Sequence, residues 1–115
     1  MALQPSRGEV WTANLNPIRG HEQAGERPVL IVSTNGFNHG PSDLVIIVPI
    51  TRTDRRIPMH VAISPPEGGL STQSYLLCDG VRAIARERLG PRAWGIVSPE
   101  TMAQVADRLR ILLDL

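Results

Sequence analysis

The sequence predicts a mainly β fold with a single helix at the C-terminal end. Short apolar segments are separated throughout by ten glycines and ten prolines, a pattern typical of strands joined by tight turns. Only residues 98–115 change to helical spacing. A length of 115 residues, 42% of them hydrophobic and 20% charged, suits one folded core, so we expect a single domain over 1–115.

The first two strands differ in pattern. The stretch GEVWTANL alternates, placing Trp11, Ala13 and Leu15 on one face, as in a half-buried strand. The stretch PVLIVS, from Pro28 to Ser33, is apolar almost throughout, which favours a central strand buried on both faces.

A polar, turn-rich connection, TNGFNHGPS, with room for one helical turn leads to a third strand, DLVIIVPIT. Pro49 has no backbone N–H to donate, so this strand should meet an edge or a bulge near its end. The stretch MHVAIS alternates with Met59, Val61 and Ile63 facing inward, and PPEGGLST must be a loop.

The second half of the chain predicts further strands and the helix. QSYLLCDGVRAIARERL is one long strand, or two interrupted at Asp79-Gly80, and AWGIVS is the last strand. In the helix, Ser98 is a suitable N-cap and Pro99 suits the first helical position. The apolar stripe of the helix predicts core packing. Its members are Met102, Val105, Ala106, Leu109, Leu112 and Leu113.

These elements predict a small, bent antiparallel sheet or partial barrel of SH3-like type. The single cysteine, Cys78, allows no internal disulfide and lies in an apolar run, so we interpret it as a core residue. The N-terminal residues lack the apolar stretch of a signal peptide, and the longest apolar run, 44–50, is too short to cross a bilayer. We therefore expect a cytoplasmic protein.

Two segments carry a family resemblance. RGEVWTANLNP followed by GHEQAGERPVLIVS resembles the N-terminal signature of the MazF/PemK toxin endoribonucleases, with Glu22, Gln23, Arg27 and Pro28 on the family pattern. VIIVPITR and YLLCDGVRAIARERLG resemble later family segments in the same order. The family's Asp-Gln pair is here Asp79 followed by Gly80, so the chain departs from the family pattern at this point.

The resemblance implies an SH3-like partial barrel of the MazF/CcdB toxin type with a C-terminal helix. It implies a homodimer that cuts single-stranded RNA, including mRNA, at specific sequences without a metal or other cofactor and so inhibits translation. In the implied reaction the RNA's own 2′-hydroxyl is the nucleophile. It also implies a cognate MazE-like antitoxin whose disordered acidic tail neutralises the toxin.

The catalytic candidates are Arg27, Thr51 and Glu22. The Arg27 guanidinium can form a forked pair of hydrogen bonds with phosphate oxygens, and Pro28 biases Arg27 toward extended backbone. Thr51 places a hydroxyl at a strand end, although a β-branched residue in a strand is common. The resemblance makes both of them catalytic. The proton acceptor stays open among Glu22, His21 and Asp79.

The remaining candidates are assigned to RNA binding, and most are cationic. Strand alternation places Arg82 and Arg86 on one face, where two cations line a groove. Aromatic residues make up only 3% of the chain, so base recognition is expected to rely on hydrogen bonds and arginine planes. The full RNA-binding set is Gln23, His21, Arg52, Asp79, Arg82 and Arg86.

Two other functions compete with the ribonuclease. One is a non-enzymatic, CcdB-like gyrase poison that acts by protein contact, and the other is a plain SH3-like interaction module. The GHEQAGERP loop favours the nuclease, and the scarcity of aromatic residues disfavours the module. The three histidines are isolated in sequence and show no metal-ligand spacing, so no metal site is expected.

Overall fold

The computed structural model describes residues 4–16 and 25–115, and it forms seven strands and two helices within those ranges. Three short 3₁₀ turns, Glu67–Gly69, Cys78–Gly80 and Arg86–Arg88, connect strands in the second half. The strands are β1 (Glu9–Asn14), β2 (Glu26–Ile31), β3 (Leu44–Thr51), β4 (His60–Ile63), β5 (Ser74–Leu77), β6 (Arg82–Ala85) and β7 (Leu89–Ile96); the helices are α1 (Asn35–Asn38) and α2 (Pro99–Leu113).

The strands are joined in one antiparallel sheet. The order along it is β4-β5-β3-β2-β1-β7, and β6 pairs with the first half of β3. The predicted mainly β fold, the single helical turn α1 and the C-terminal helix are all confirmed. Among the described residues, no helix has the length and apolar character needed to cross a membrane.

The central strands β2 and β3 are buried on both faces, as the apolar run PVLIVS predicts. Val29 and Ile31 belong to one apolar cluster, while Leu30 between them belongs to the other. Successive side chains of a strand point to opposite faces, so an uninterrupted apolar run serves two cores. Val10 of β1 is fully buried too, so this strand is apolar on both faces at its start rather than half-buried.

Pro49 marks a break in the sheet, as expected from its missing N–H. On one side of β3, β5 pairs with its last two residues and β6 with its first four, and the 3₁₀ turn Cys78–Gly80 interrupts the two strands opposite Pro49. A Cβ on Gly80 would lie 3.3 Å from the Pro49 ring, so the chain passes close to the proline there. Of the two arrangements that the sequence allows, the structure has the second, two strands interrupted at Asp79-Gly80.

The helix α2 begins at the predicted cap. The Ser98 hydroxyl oxygen accepts a hydrogen bond from the Thr101 N–H at 3.1 Å, and Val105 is fully buried against the β4–β5 side of the sheet. The expected core stripe ends early, because Leu112 and Leu113 are 41% and 54% exposed. The last turn of α2 extends beyond the surface on which the first turns pack.

Glu67 connects the helix to the 3₁₀ turn Glu67–Gly69. Its Oε2 accepts hydrogen bonds from the Thr101 hydroxyl at 2.6 Å and the Ser98 N–H at 2.8 Å. Burial acts to raise the pKa of Glu67, but these hydrogen bonds to the carboxylate outweigh it, so the pKa lies below its ordinary value. The ionised carboxylate therefore holds this turn against the start of α2.

Candidate active site

Arg27 and Thr51 lie on the same face at the ends of two neighbouring strands. The β2–β3 ladder pairs Val29 with Pro49. Side chains repeat every two residues along a strand, so the same register, continued by two residues, sets Arg27 opposite Thr51. Arg27 also pairs with Ala13 of β1, so its backbone belongs to the sheet, and the residue is exposed to solvent.

Both residues line one cavity of about 220 Å³, the Arg27–Thr51 groove. Arg52 lines it as a second cation. Three hydroxyl residues also line it, Ser71 and Thr72 from the loop that leads into β5 and Ser74 from the start of that strand. The groove therefore combines two guanidinium groups with several hydroxyls, which is a donor set suited to phosphate oxygens. The remaining lining residues are Glu26, Pro28, Ile50, Leu70 and Trp94.

The Thr51 hydroxyl has a defined local partner. Its oxygen accepts a hydrogen bond from the Thr53 N–H at 3.2 Å, at the point where β3 turns away from the sheet. A hydroxyl that accepts this bond still has its own O–H to donate. Thr51 can thus donate to an oxygen in the groove while its backbone stays in the ladder beside Tyr75.

A second cavity of about 360 Å³, the Arg82 cavity, is lined by Arg55, His60, Asp79 and Arg82. Pro49 of β3 lines this cavity, whereas the next two residues of the strand line the Arg27–Thr51 groove. The end of β3 therefore contributes to both. Two further arginines are present here, with the carboxylate of Asp79 beside them.

His60 is the residue in the Arg82 cavity that the sequence does not reveal. Its Nε2 lies 2.9 Å from Asp79 Oδ1, its side chain is 6% exposed, and its buried Nδ1 has no hydrogen-bond partner within the described structure. The two residues are 19 positions apart, and only the β4–β5 register, which pairs His60 with Leu77, brings them together. Correct pairing of those two strands would have been needed to find the contact.

Arg86 does not share a groove with Arg82. It lies beyond the end of β6, in a 3₁₀ turn, and its guanidinium bonds to Asp43 Oδ1 at 2.6 Å and to the backbone oxygens of Asn38 and Gly40. The alternation that placed it beside Arg82 stops at the end of the strand. Arg86 therefore holds the connection between α1 and β3.

Three site candidates of the N-terminal loop, His21, Glu22 and Gln23, lie outside the described residues. Within the ranges that are described, no three His, Cys, Asp or Glu side chains are grouped as metal ligands would be. The choice of proton acceptor thus rests on the sequence alone for Glu22 and His21. Asp79 lies in the Arg82 cavity rather than in the Arg27–Thr51 groove.

Cys78 is the core residue that its surroundings in the sequence predict. It is fully buried beneath α2, and burial raises its pKa to about 11, with Arg108 lowering it and Asp79 raising it to smaller extents. At neutral pH it is a thiol rather than a thiolate, so it is not a nucleophile.

The fold and the two cavities define a small β domain whose surface carries arginines and hydroxyls suited to bind phosphate oxygens. Residues 6–113 match the family described as PemK-like, MazF-like toxin of type II toxin-antitoxin system. The chain belongs to this family, as its sequence resemblance predicts.

Individual relatives agree with the assignment. The chain is 34% identical to endoribonuclease MazF9 of Mycobacterium tuberculosis (strain ATCC 25618 / H37Rv), over 95% of this chain and 96% of the relative. The crystal structure of MazF from Deinococcus radiodurans superposes with a TM-score of 0.84 at 28% identity, covering 99% of this chain and 100% of that one. An endoribonuclease from a mycobacterial species, solved in complex with its cognate antitoxin, superposes with a TM-score of 0.79 at 32% identity, covering 96% of each chain. These matches also confirm the toxin-type fold.

Proposed function

We propose that this toxin is a metal-independent endoribonuclease that cuts single-stranded RNA in the Arg27–Thr51 groove. The observation that carries the proposal is the meeting of Arg27 and Thr51, 24 residues apart in sequence, on one face of the sheet and in one cavity. The relatives' description as endoribonucleases supports it and disfavours the gyrase-poison alternative. A toxin that acts only by protein contact has no need of this donor set.

In the proposed reaction the 2′-hydroxyl oxygen attacks the adjacent phosphorus and the bond from phosphorus to the 5′-oxygen breaks. The proton of the 2′-hydroxyl passes to a base, and the departing 5′-oxygen takes up a proton. The products are a 2′,3′-cyclic phosphate and a 5′-hydroxyl. The RNA loses one proton at the 2′-oxygen and gains one at the 5′-oxygen, so this step consumes no water and no other reactant.

Arg27 is assigned to the phosphate. Negative charge builds up on the non-bridging oxygens as the fifth bond to phosphorus forms, and a guanidinium fork stabilises that charge more than it stabilises the starting diester. The backbone of Arg27 is paired with β1 and is therefore held in place, which limits the positions that its guanidinium group can take. Thr51 donates its hydroxyl to a phosphate oxygen or orients the 2′-hydroxyl, and Glu22 is the proposed proton acceptor.

The RNA strand is proposed to continue from the Arg27–Thr51 groove into the Arg82 cavity. Arg52 lines the first and Arg82 the second, with Asp79 available to accept hydrogen bonds from bases. Contacts of arginine with phosphates release counterions, so binding should weaken steeply as salt rises. Gln23 and His21 complete the proposed binding set, and Arg86 is left out of it because its guanidinium is engaged with Asp43 and the backbone.

The proposed partners are a second copy of the chain and a cognate MazE-like antitoxin, in the cytoplasm. Ile111, Leu112, Leu113 and Leu115 leave an exposed apolar surface at the end of α2 that is available for burial by a second copy. The same arginines that attract RNA suit a disordered acidic antitoxin tail. A relative has been solved with its cognate antitoxin. An excess of the cognate antitoxin of this chain should block cleavage.

The test is incubation of the purified chain with a mixed-sequence RNA transcript in EDTA, followed by mapping of the ends. The proposal predicts cuts that carry a cyclic phosphate and a 5′-hydroxyl. Intact RNA would overturn it. Sedimentation at micromolar concentration tests the assembly separately, and a monomer there would contradict the homodimer.

A further inference from the structure

The wall of the Arg27–Thr51 groove contains a large exposed aromatic ring. Trp94 lines the groove and is 46% exposed, whereas Trp11, the other tryptophan of the chain, is 5% exposed and donates its indole N–H to Glu9. Tryptophan normally buries most of its surface. A half-exposed indole beside two proposed catalytic side chains therefore calls for a ligand-based explanation.

The backbone at Trp94 is arranged so that this side chain leaves the regular alternation of β7. Val10 of β1 pairs with Gly95, but the next residue, Trp11, pairs with Ala93, so Trp94 is an extra residue between two paired ones. Such a β-bulge changes the direction of one side chain, and bulges are frequent beside active sites. Here the bulged residue is the one that reaches the groove.

Close backbone packing fixes the bulge in place. A Cβ on Gly69 would lie 2.3 Å from the carbonyl oxygen of Trp94, and a Cβ on Gly95 would lie 2.7 Å from the backbone of the 3₁₀ turn Glu67–Gly69. Only glycine at both positions allows the turn and β7 to approach this closely. Glu67 also joins this 3₁₀ turn to the start of α2 by hydrogen bonds, so the backbone that carries the Trp94 indole is held in place.

We propose that Trp94 is a stacking platform for a nucleobase of the RNA next to the phosphate bound by Arg27, an inference that rests on the proposed ribonuclease function. Bases on either side of a phosphate held in the groove lie within reach of its wall, and every base has a face that can stack on an indole. The sequence alone predicts recognition by hydrogen bonds and arginine planes because aromatic residues are so few. The structure places one of those few residues at the site.

Stacking would hold the substrate in place without taking part in the chemistry. Loss of Trp94 should therefore act mainly on KM, whereas loss of Arg27 should act on the chemical step. Base–aromatic stacking, worth about 1–3 kcal/mol per base, should make Trp94→Ala raise KM for an RNA transcript roughly 5- to 150-fold. Trp94→Phe should recover most of the loss because it keeps a ring. Ile96→Ala is the matched control, since Ile96 is 66% exposed on the same strand and does not line the groove. An unchanged KM for Trp94→Ala, with wild type active, would overturn the stacking inference alone.

Binding can be measured without cleavage by titrating a short randomised 2′-O-methyl RNA, which lacks the attacking hydroxyl. Stacking should quench the fluorescence of Trp94 in the wild-type chain, and Trp94→Phe, which retains only the buried Trp11, should show no such change. Binding without quenching would overturn the inference. If the wild type binds and quenches but does not cut RNA in EDTA, the ribonuclease proposal fails while the stacking site stands.

A contact between two copies of the chain is the competing explanation for an exposed indole. Sedimentation of Trp94→Ala and Trp94→Phe at the assay concentration distinguishes the two. Stacking predicts the wild-type assembly state for both variants. A shift to smaller species in Trp94→Ala that accounts for its loss of RNA affinity would overturn the inference in favour of a copy–copy contact.

Discussion

Replacement of Arg27 tests the proposed site most sharply, because lysine and alanine remove different parts of its contribution. Arg27 is exposed and its side chain belongs to neither apolar cluster, so both variants should keep the packed core. Lysine keeps the charge but cannot form the forked pair of hydrogen bonds. Loss of one charge-assisted bond, about 1.5–3 kcal/mol, corresponds to a fall in kcat/KM of roughly 10- to 150-fold.

Alanine removes both bonds and the charge, so the expected fall is roughly 10²–10⁴-fold, at the scale found when a donor to a developing oxyanion is removed. The assay is single-turnover cleavage of a labelled transcript in EDTA, with thermal unfolding measured alongside. Arg92→Ala is the control, since Arg92 is exposed on β7 and lines neither cavity. Wild-type rates for Arg27→Ala would refute the assignment, and wild-type rates for Arg27→Lys would refute the role of the fork.

Three further outcomes follow from the site and the core. Thr51→Val keeps the β-branched shape but removes the hydroxyl, so cleavage should fall about tenfold or more while Thr51→Ser stays active; equal activity of the two variants would refute a role for the hydroxyl. The pKa of Glu67 is lowered in the folded chain, so its stabilising effect is present above the ordinary value of 4.5 and is lost as pH falls through the folded value. Glu67→Ala should therefore cost about 1–3 kcal/mol of unfolding free energy near neutral pH, measured with urea, and the deficit should shrink below pH 4.5; a deficit that persists in acid would contradict this. Cys78, with a pKa of about 11 and no exposure, should react with Ellman's reagent only as fast as the chain unfolds, and a rapid reaction of the native protein would contradict its placement in the core.

Patterns confined to neighbouring residues predict much of this fold. The continuous apolar run of β2 indicates burial on two faces, and the proline in β3 indicates a missing hydrogen-bond donor. Ser98 indicates a helix start, where a free N–H needs an acceptor. The apolar stripe of the C-terminal helix predicts burial for residues at its end that are in fact exposed. Helical spacing shows that Leu112 and Leu113 share a face with Val105, but it does not show where the surface beneath that face ends.

The candidate site could be predicted only in part, because strand pairing decides which of its residues lie close together. Residue chemistry and the family resemblance both point to Arg27 and Thr51, but only the β2–β3 register shows that they meet. The His60–Asp79 contact likewise needs the β4–β5 register. Trp94 reaches the groove through a bulge that packs closely against the 3₁₀ turn Glu67–Gly69, and this packing between distant segments has no local signature.

The central claim is that the Arg27–Thr51 groove cuts RNA by using the RNA's own 2′-hydroxyl. The most direct measurement maps the ends made by the wild-type chain in EDTA on paired substrates, one all-RNA and one with 2′-deoxy sugars at the mapped cut sites. We predict 2′,3′-cyclic phosphate and 5′-hydroxyl ends on the first and no cuts at those sites on the second. Cleavage of the deoxy-substituted sites, or ends bearing a 5′-phosphate, would contradict the account.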